Sequence, residues 1–463
     1  MQRLQELWYA VFMKKSTQVL EGLEHKAKVT VDIIPSKDSN VTAGQASRII
    51  GVSIDTIRRW AKLGLLICVR DSNNKRLFKI SDLERIKNRY ENHSENKKSH
   101  FFVLKNNKTR FTSIELFAGA GGTALGMSNA GFNHLMLNEV DKYACATLRK
   151  NNPEWNVVEE DIHNIDFSKY RGKVDLLQGG VPCQAFSYAG LSKGFEDSRG
   201  TLFFEFARAI KQVKPKVLMM ENVRGLLTHD SGKTIMVMLN TLDSLGYKVA
   251  LKVLRAQFLD VAQKRERLVI IGVRKDLDIP ILFPKENSDV LTLWDAIGEC
   301  PKSEGATYPE SKKKVLDLVP PGGYWRDLPL DVQKDYMKGS FNLPGGKTGM
   351  ARRLSWNEPS LTLTCSPAQR QTERCHPAET RPLTVREYAR IQSFPDSWEF
   401  EGSMASKYKQ IGNAVPCNLA YHVGRAIIAM LSGENRELFR DIKPVDLSNI
   451  TTDELKSQAL SML

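Results

Sequence analysis

The chain has no run of about eighteen consecutive apolar residues, so no segment of it reads as a membrane-spanning helix. The longest early apolar run, residues 7–13, is not followed by a small-residue cleavage site, which argues against a secretory leader. Cysteine is sparse. The seven residues, Cys68, Cys145, Cys183, Cys300, Cys365, Cys375 and Cys417, are odd in number, scattered and without a C-x-x-C pair. A disulfide framework and a zinc knuckle therefore lack their usual spacing, and a reducing cytosol is the expected compartment. What is present is ordinary for globular protein: 41% hydrophobic and 26% charged residues exclude a disordered or collagen-like chain, and 463 residues suffice for two or three domains.

Charge is unevenly spread. Residues 1–110 hold 22 Lys+Arg against 11 Asp+Glu, a net of +11, and the remainder holds 45 against 42, a net of +3, which together make the +14 of the whole chain. A basic excess confined to the first quarter attracts polyanions and releases their counterions on binding, so nucleic acid is the leading partner and an anionic membrane surface the weaker alternative; with the motifs below, the expected partner is double-stranded DNA and no membrane.

Residues 1–39 form an extension to which no chemistry attaches. From Val41 a compact pattern begins. Thr42 is placed to cap a helix carrying Ala46, Ile49 and Ile50, Gly51 makes a turn, and Ser53 starts a second helix through Ile57 and Trp60. That second helix presents Arg58 and Arg59. A polar turn at residues 71–75 then separates two short strands, a wing whose Arg76 is placed to lie along phosphates. In the run TAGQASRIIGVSIDTIRRWAKLGLL, and in the spacing of Arg76, Phe78, Asp82 and Leu83 after it, residues 40–90 resemble the winged helix-turn-helix of the MerR and excisionase type, which implies DNA contact. The plainer reading, a two-helix unit that only packs on its neighbour, is disfavoured by the local charge. Residues 91–110 read as a linker.

From Phe111 the pattern changes to strands alternating with helices: strands near 111–117, 134–140, 156–160, 174–177, 216–220, 248–255 and 267–273, helices near 123–130, 141–150, 202–213 and 234–245. The expected fold class is α/β, a doubly wound Rossmann-like domain with ligands at the carboxyl ends of its strands. The first candidate site follows the first strand, where Gly119, Gly121 and Gly122 form a turn before a helix. Many such turns only close a βα unit. Here Glu139, twenty residues past Gly119, ends the next strand and could accept from ribose hydroxyls, and Asp161 ends a third and could accept from an adenine amino group. No G-K-[ST] follows the turn, which disfavours a nucleoside triphosphate.

The second candidate site is the run Gly179-Gly-Val-Pro182-Cys183-Gln184-Ala-Phe-Ser187. A cysteine after proline in a glycine-bounded loop at a strand end suits a thiolate nucleophile. A lone cysteine is more often inert and buried, as the other six are expected to be. Cys183 is singled out by Glu221-Asn222-Val223 at the end of the next strand and by Gln263-Lys-Arg265-Glu-Arg267 before another, which would bring a nucleophile, a carboxyl and guanidinium groups to one edge.

The glycine turn, Pro182-Cys183-Gln184, Glu221-Asn222-Val223, residues 263–267, residues 381–392 and Gln410-Ile-Gly-Asn413-Ala-Val415-Pro416 occur in the order that characterises DNA (cytosine-5)-methyltransferases, which residues 111–432 resemble. Residues 353–364 look like those of bacterial restriction-modification enzymes. The resemblance implies S-adenosylmethionine as cofactor, held by Phe117, Gly119, Gly121, Glu139, Asp161, Ile162, Asn413 and Val415. It implies Cys183 as nucleophile toward C6 of a flipped cytosine, Glu221 at N3 and the amino group, and Arg265 at O2, with a catalytic loop at 185–199 closing over the base. It further implies a functional pairing with a cognate restriction endonuclease. DNA contacts are expected from Arg58, Arg59, Arg76, Gln184, Ser187, Arg267, Arg353 and Arg370. The domains expected are a catalytic first part at 111–274, a target-recognition domain at 275–380, a catalytic second part at 381–432 and a peripheral tail at 433–463. Two other readings stay open: an RNA cytosine-5 methyltransferase, disfavoured because a winged helix suits the B-form major groove, and a transcription regulator on a former enzyme fold, disfavoured by the intact Cys183, Glu221 and Arg265.

Overall fold

The computed structural model describes residues 39–50, 54, 57–58, 61, 66–84, 101–181, 202–345 and 347–461. In the amino-terminal module, β1 (Asn40–Thr42) leads into α1 (Ala43–Ile50), and β2 (Val69–Arg70) and β3 (Arg76–Lys79) form the expected wing. β3 pairs antiparallel with both other strands. Thr42 and Gln45 cap α1 reciprocally: the Gln45 backbone N–H donates to Thr42 Oγ1 (3.4 Å) and the Thr42 N–H donates to Gln45 Oε1 (2.9 Å). The wing turn closes on the Asp71 carboxylate, which accepts from the Asn73 and Lys75 N–H groups. Val41, Ala46, Ile50, Ile57, Leu66, Phe78, Ile80 and Leu83 form the module's own core. Arg58 is exposed and Arg76 half-buried, while Arg59 lies outside the described residues.

The larger body runs β4 (Thr112–Leu116), α2 (Gly122–Ala130), β5 (Asn133–Glu139), α3 (Lys142–Asn151), β6 (Val157–Glu159), β7 (Leu176–Gly179), α4 (Leu202–Val213), β8 (Val217–Val223), α5 (Lys233–Ser244), β9 (Tyr247–Arg255), β10 (Gln263–Lys264), β11 (Glu266–Arg274) and β12 (Leu282–Pro284). It continues through α6 (Leu293–Ile297), α7 (Glu310–Leu316), α8 (Leu330–Met337), β13 (Ser360–Leu361), α9 (Val385–Ile391), α10 (Met404–Asn413), α11 (Cys417–Ser432), β14 (Phe439–Asp441) and α12 (Thr452–Leu460). Seven strands form one sheet in the order β6-β5-β4-β7-β8-β11-β9. The chain reverses at β11, which pairs antiparallel with β8 and with β9, whereas β4 to β8 are parallel. Period-two alternation divides the strands between two cores. Leu177, Leu218, Met220, Leu268 and Ile270 pack on one face with α4 and α5. Leu176, Val217, Met219, Val269 and Ile271 pack on the other with α2 and α11. Both faces are apolar because both are covered.

Three sequence boundaries are corrected. Residues 101–110 do not run free as a linker: the Leu104 N–H donates to Asn418 Oδ1 (2.9 Å), the Asn106 N–H donates to the Asn129 carbonyl (2.7 Å), and the Arg390 guanidinium lies 4.7 Å from the Phe101 ring centre. The carboxyl-terminal segment is part of the body rather than peripheral. β14 pairs with β12, Leu455 and Ala459 enter the main core, and Lys252 reaches the end of α12 by donating to the Gln458 carbonyl (2.8 Å). Leu293, Ala296 and Ile297 of α6 belong to a core of the larger body with Leu148, Tyr388 and Ile411. The separate small core of the inserted domain therefore runs only from Tyr308 to Cys375. Residues 404–432 are apolar enough over a helical length to suggest a membrane span, but they form two helices broken before Pro416, and 72% of the most apolar window is buried within the protein. Thr384 and Glu387 form a capping box at the start of α9.

Leu455 is 1% exposed. Leu455→Ala should lower the unfolding free energy by roughly 2–5 kcal/mol, read from the midpoint of urea denaturation, and an unchanged midpoint would return this segment to the periphery.

Candidate active site

Successive parallel strands end along one edge, and their carboxyl ends carry the first constellation. Phe117 and Gly119 both take positive φ (59° and 54°), and nothing lies within 4 Å of the position a Gly119 side chain would take, so the turn presents bare backbone to open space. Glu139 Oε2 accepts from the Gly119 N–H (2.7 Å), and its Oε1 accepts from the N–H groups of Val140 and Asp141 (2.8 Å each). Three amides thus aim one carboxylate beside the glycine turn. Asp161 is exposed at the end of the third strand, where its Oδ1 caps the turn of residues 162–164 by accepting from the His163 N–H (3.0 Å) and meets His163 Nδ1 at 2.6 Å. Ile162, the first residue of that turn, is buried and packs in the main core.

Gly122 sets the far wall. A side chain there would stand 2.1 Å from the Val415 carbonyl oxygen, so glycine lets α2 abut the loop before α11. Asn413, exposed at the end of α10, accepts at Oδ1 from the Cys365 thiol (2.9 Å). The Val415 carbonyl therefore borders the glycine turn.

The second constellation depends on the reversal at β11. Because β11 runs against its neighbours, its amino end lies at their carboxyl edge. Val269 pairs with Glu221 and Arg267 with Val223, so Arg267 and Glu221 are diagonal neighbours on one face. Arg267 Nε meets Glu221 Oε1 at 2.5 Å, with both side chains nearly buried. Burial raises the Glu221 pKa, and the Arg267 and Arg265 guanidiniums oppose that rise; burial likewise lowers the Arg267 pKa against the pull of Glu221. Asn222 ties this strand end to the next loop, its Nδ2 donating to the Val181 carbonyl (2.8 Å). Val181 is where residues 182–201 begin. Pro182, Cys183, Gln184, Ser187 and the loop at 185–199 lie outside the described residues.

The two arginines of the QKRER run are held in different surroundings. Arg265, 2% exposed, donates to the carbonyls of Leu363 (3.2 Å) and Gly412 (3.0 Å), and burial lowers its pKa to about 9. It ties the inserted segment to α10. The guanidinium beside the Glu221 carboxyl is Arg267's, whose burial removes it from the surface where a phosphate would meet it. Arg353 is also corrected: 5% exposed, it donates to the carbonyls of Val319 (2.7 Å), Leu316 (2.8 Å) and His376 (3.1 Å), which makes it a strut of the inserted domain. Arg370 stays on the surface, donating to the Tyr336 carbonyl and stacking 4.8 Å from that ring. The cysteines do not all behave as expected either. Cys145, Cys375 and Cys417 are buried, and burial pushes the first two thiols up to about 12 and about 11, but Cys365 is exposed and Cys68 and Cys300 are half-exposed.

A mixed sheet thus carries a carboxylate-held glycine turn at one part of its edge and a buried carboxyl–guanidinium pair at another. The model of the C-5 cytosine-specific DNA methylase family matches residues 111–429, and the chain belongs to that family. It is accordingly a DNA cytosine-5-methyltransferase. Residues 42–78 match the MerR family regulatory protein model. The chain is 56% identical over 403 residues to the Type II methyltransferase M.Eco47II of Escherichia coli, covering 85% of this chain and 96% of that one. It is 52% identical over 415 residues to M.PspPI of Psychrobacter sp. (strain TA137), covering 87% and 99%. Among solved structures, a prophage-encoded DNA modification methyltransferase from E. coli superposes with a TM-score of 0.52 at 25% identity over 70% of this chain and 99% of that one. Spodoptera frugiperda DNMT2 shares the fold at a TM-score of 0.50 and 16% identity over 69% and 99%.

Arg353→Ala should lower the melting temperature while leaving the salt dependence of DNA affinity unchanged. A reduced salt slope at unchanged stability would restore Arg353 to the DNA surface.

Proposed function

We propose that the protein methylates C5 of a cytosine flipped out of a specific duplex sequence, using S-adenosylmethionine, and serves as the modification partner of a restriction endonuclease in the bacterial cytoplasm. The Type II relatives support the restriction-modification setting. The observation that carries the chemistry is the buried Arg267–Glu221 contact beside the root of the Cys183 loop.

Glu139 would hold the ribose hydroxyls, with Asp161 toward the adenine amino group, Phe117 and Gly119 against the nucleoside, and Asn413 and Val415 at the methionine end. The bare turn at Gly119 beside an amide-held carboxylate fits such a ligand. When bound, S-adenosylmethionine supplies an electrophilic methyl group whose leaving group is the sulfonium's sulfur.

The chain's own residues make the base reactive. C5 of cytosine is a poor nucleophile in an aromatic ring, and addition of the Cys183 thiolate at C6 places electron density there. Glu221 sits against N3 and the amino group, and its raised pKa suits a carboxyl that shares a proton with N3 as addition proceeds. Arg267, in the part first expected of Arg265, fixes that carboxyl and offers a guanidinium toward O2. Loss of the C5 proton and departure of Cys183 restore the ring. C6 must be approached from the ring face, which requires the base outside the stack. The basic amino-terminal module adds a second grip on duplex DNA, and a B-form target favours DNA over RNA.

Cys183→Ser should abolish methyl transfer to duplex DNA while S-adenosylmethionine still binds by calorimetry, and normal turnover by that variant would reject the nucleophile. Glu139→Ala should raise the Kd for S-adenosylmethionine at least tenfold, and an unchanged Kd would remove Glu139 from the ribose.

A further inference from the structure

A second cleft, of about 640 Å³, opens at the opposite edge of the sheet. Its walls come from the residues just before β4, from β12 and β14, and from the far half of α11, with Arg425 about 12 Å along that helix from Cys417. The polar groups facing it are mostly cations or donors: Arg110, Lys285, Asn287, His422 and Arg425, with Glu434 as the one carboxylate in the lining.

Three of these cations are uncompensated. Lys285 donates to the Glu437 backbone carbonyl (2.7 Å), Arg425 to the Ala130 carbonyl (3.1 Å), and Arg110 lies 5.6 Å from the Phe111 ring centre. Among the described residues none of the three has an ion-pair partner, whereas Arg149, Lys150, Lys216, Arg224 and Arg255 of the same body each do. Asn287 and His422 are held together by Asp260, which accepts from Asn287 Nδ2 (3.1 Å) and meets His422 Nε2 at 2.7 Å. The wall is therefore built before any ligand arrives. Three positive side chains converging on one concavity raise the local potential for an anion. The volume is that of a small-molecule pocket.

We propose that this cleft is a binding site for a small phosphate-bearing molecule, separate from the methyl-transfer site. Backbone phosphates of nucleic acid carry the same charge, but a duplex is broad and convex, and the concave wall favours the small ligand. Leu438, 60% exposed and lining the same cleft, offers apolar surface to the rest of such a molecule.

The test titrates the full-length protein with pyrophosphate by calorimetry. One saturable site is expected. The double variant Lys285→Gln, Arg425→Gln should weaken it at least tenfold with methylation of duplex DNA retained, and Lys285→Arg with Arg425→Lys should restore binding to within about threefold. A duplex of dA·dT pairs should fail to displace pyrophosphate. Absence of saturable binding, or equal affinity in the folded double-Gln variant, overturns the site; displacement by the duplex assigns it to nucleic-acid phosphate and overturns the small-ligand reading.

Discussion

The buried contact between Glu221 and Arg267 is the constraint on which the rest of the active site depends. Removing two charges from water is costly, and their attraction offsets that cost only if the geometry is kept, so losing either partner would leave the other stranded, at about 3–5 kcal/mol. Burial works against the ionised form of both groups, as their pKa directions record. What the pair keeps is therefore orientation: the Glu221 carboxyl is fixed beside Arg267 at the strand end that Asn222 ties to Val181.

That geometry follows from one reversal in chain direction. In a wholly parallel sheet the residues before a strand lie at the edge away from the ligand. β11 runs the other way, which carries the QKRER run to the edge where Glu221 ends β8. The same alternation that buries Val217, Met219, Val269 and Ile271 on one face sets Glu221 and Arg267 on it as well. Asn222, on the opposite parity, ties the same strand end to Val181.

Most of the fold was legible in the sequence because strand–helix alternation is a local signal. The helix over 202–213 coincides with α4, and Glu139 and Asp161 fall at strand ends as their spacing demands. The misreadings are cases where only tertiary structure decides. Arg265 and Arg267 are two residues apart in one run, and nothing local says which meets Glu221 and which meets the carbonyls of Leu363 and Gly412. Arg353 looked like a surface arginine, yet its guanidinium is taken up by the backbone carbonyls of Val319 and Leu316. The segment after Ser432 has little periodicity, but β14 and α12 dock through partners more than a hundred residues earlier.

Cys365 sharpens the remaining question, because it is an exposed thiol at the border of the same site, bonded to Asn413. We propose Cys183 alone for the covalent chemistry. The most direct measurement is to incubate the enzyme and S-adenosylmethionine with duplex DNA carrying 5-fluorocytosine at the target position, where the C5 substituent cannot leave as a proton, and to map the adduct by peptide mass spectrometry. The account predicts a stable crosslink on the peptide containing Cys183; no crosslink, or one on the peptide containing Cys365, would contradict it.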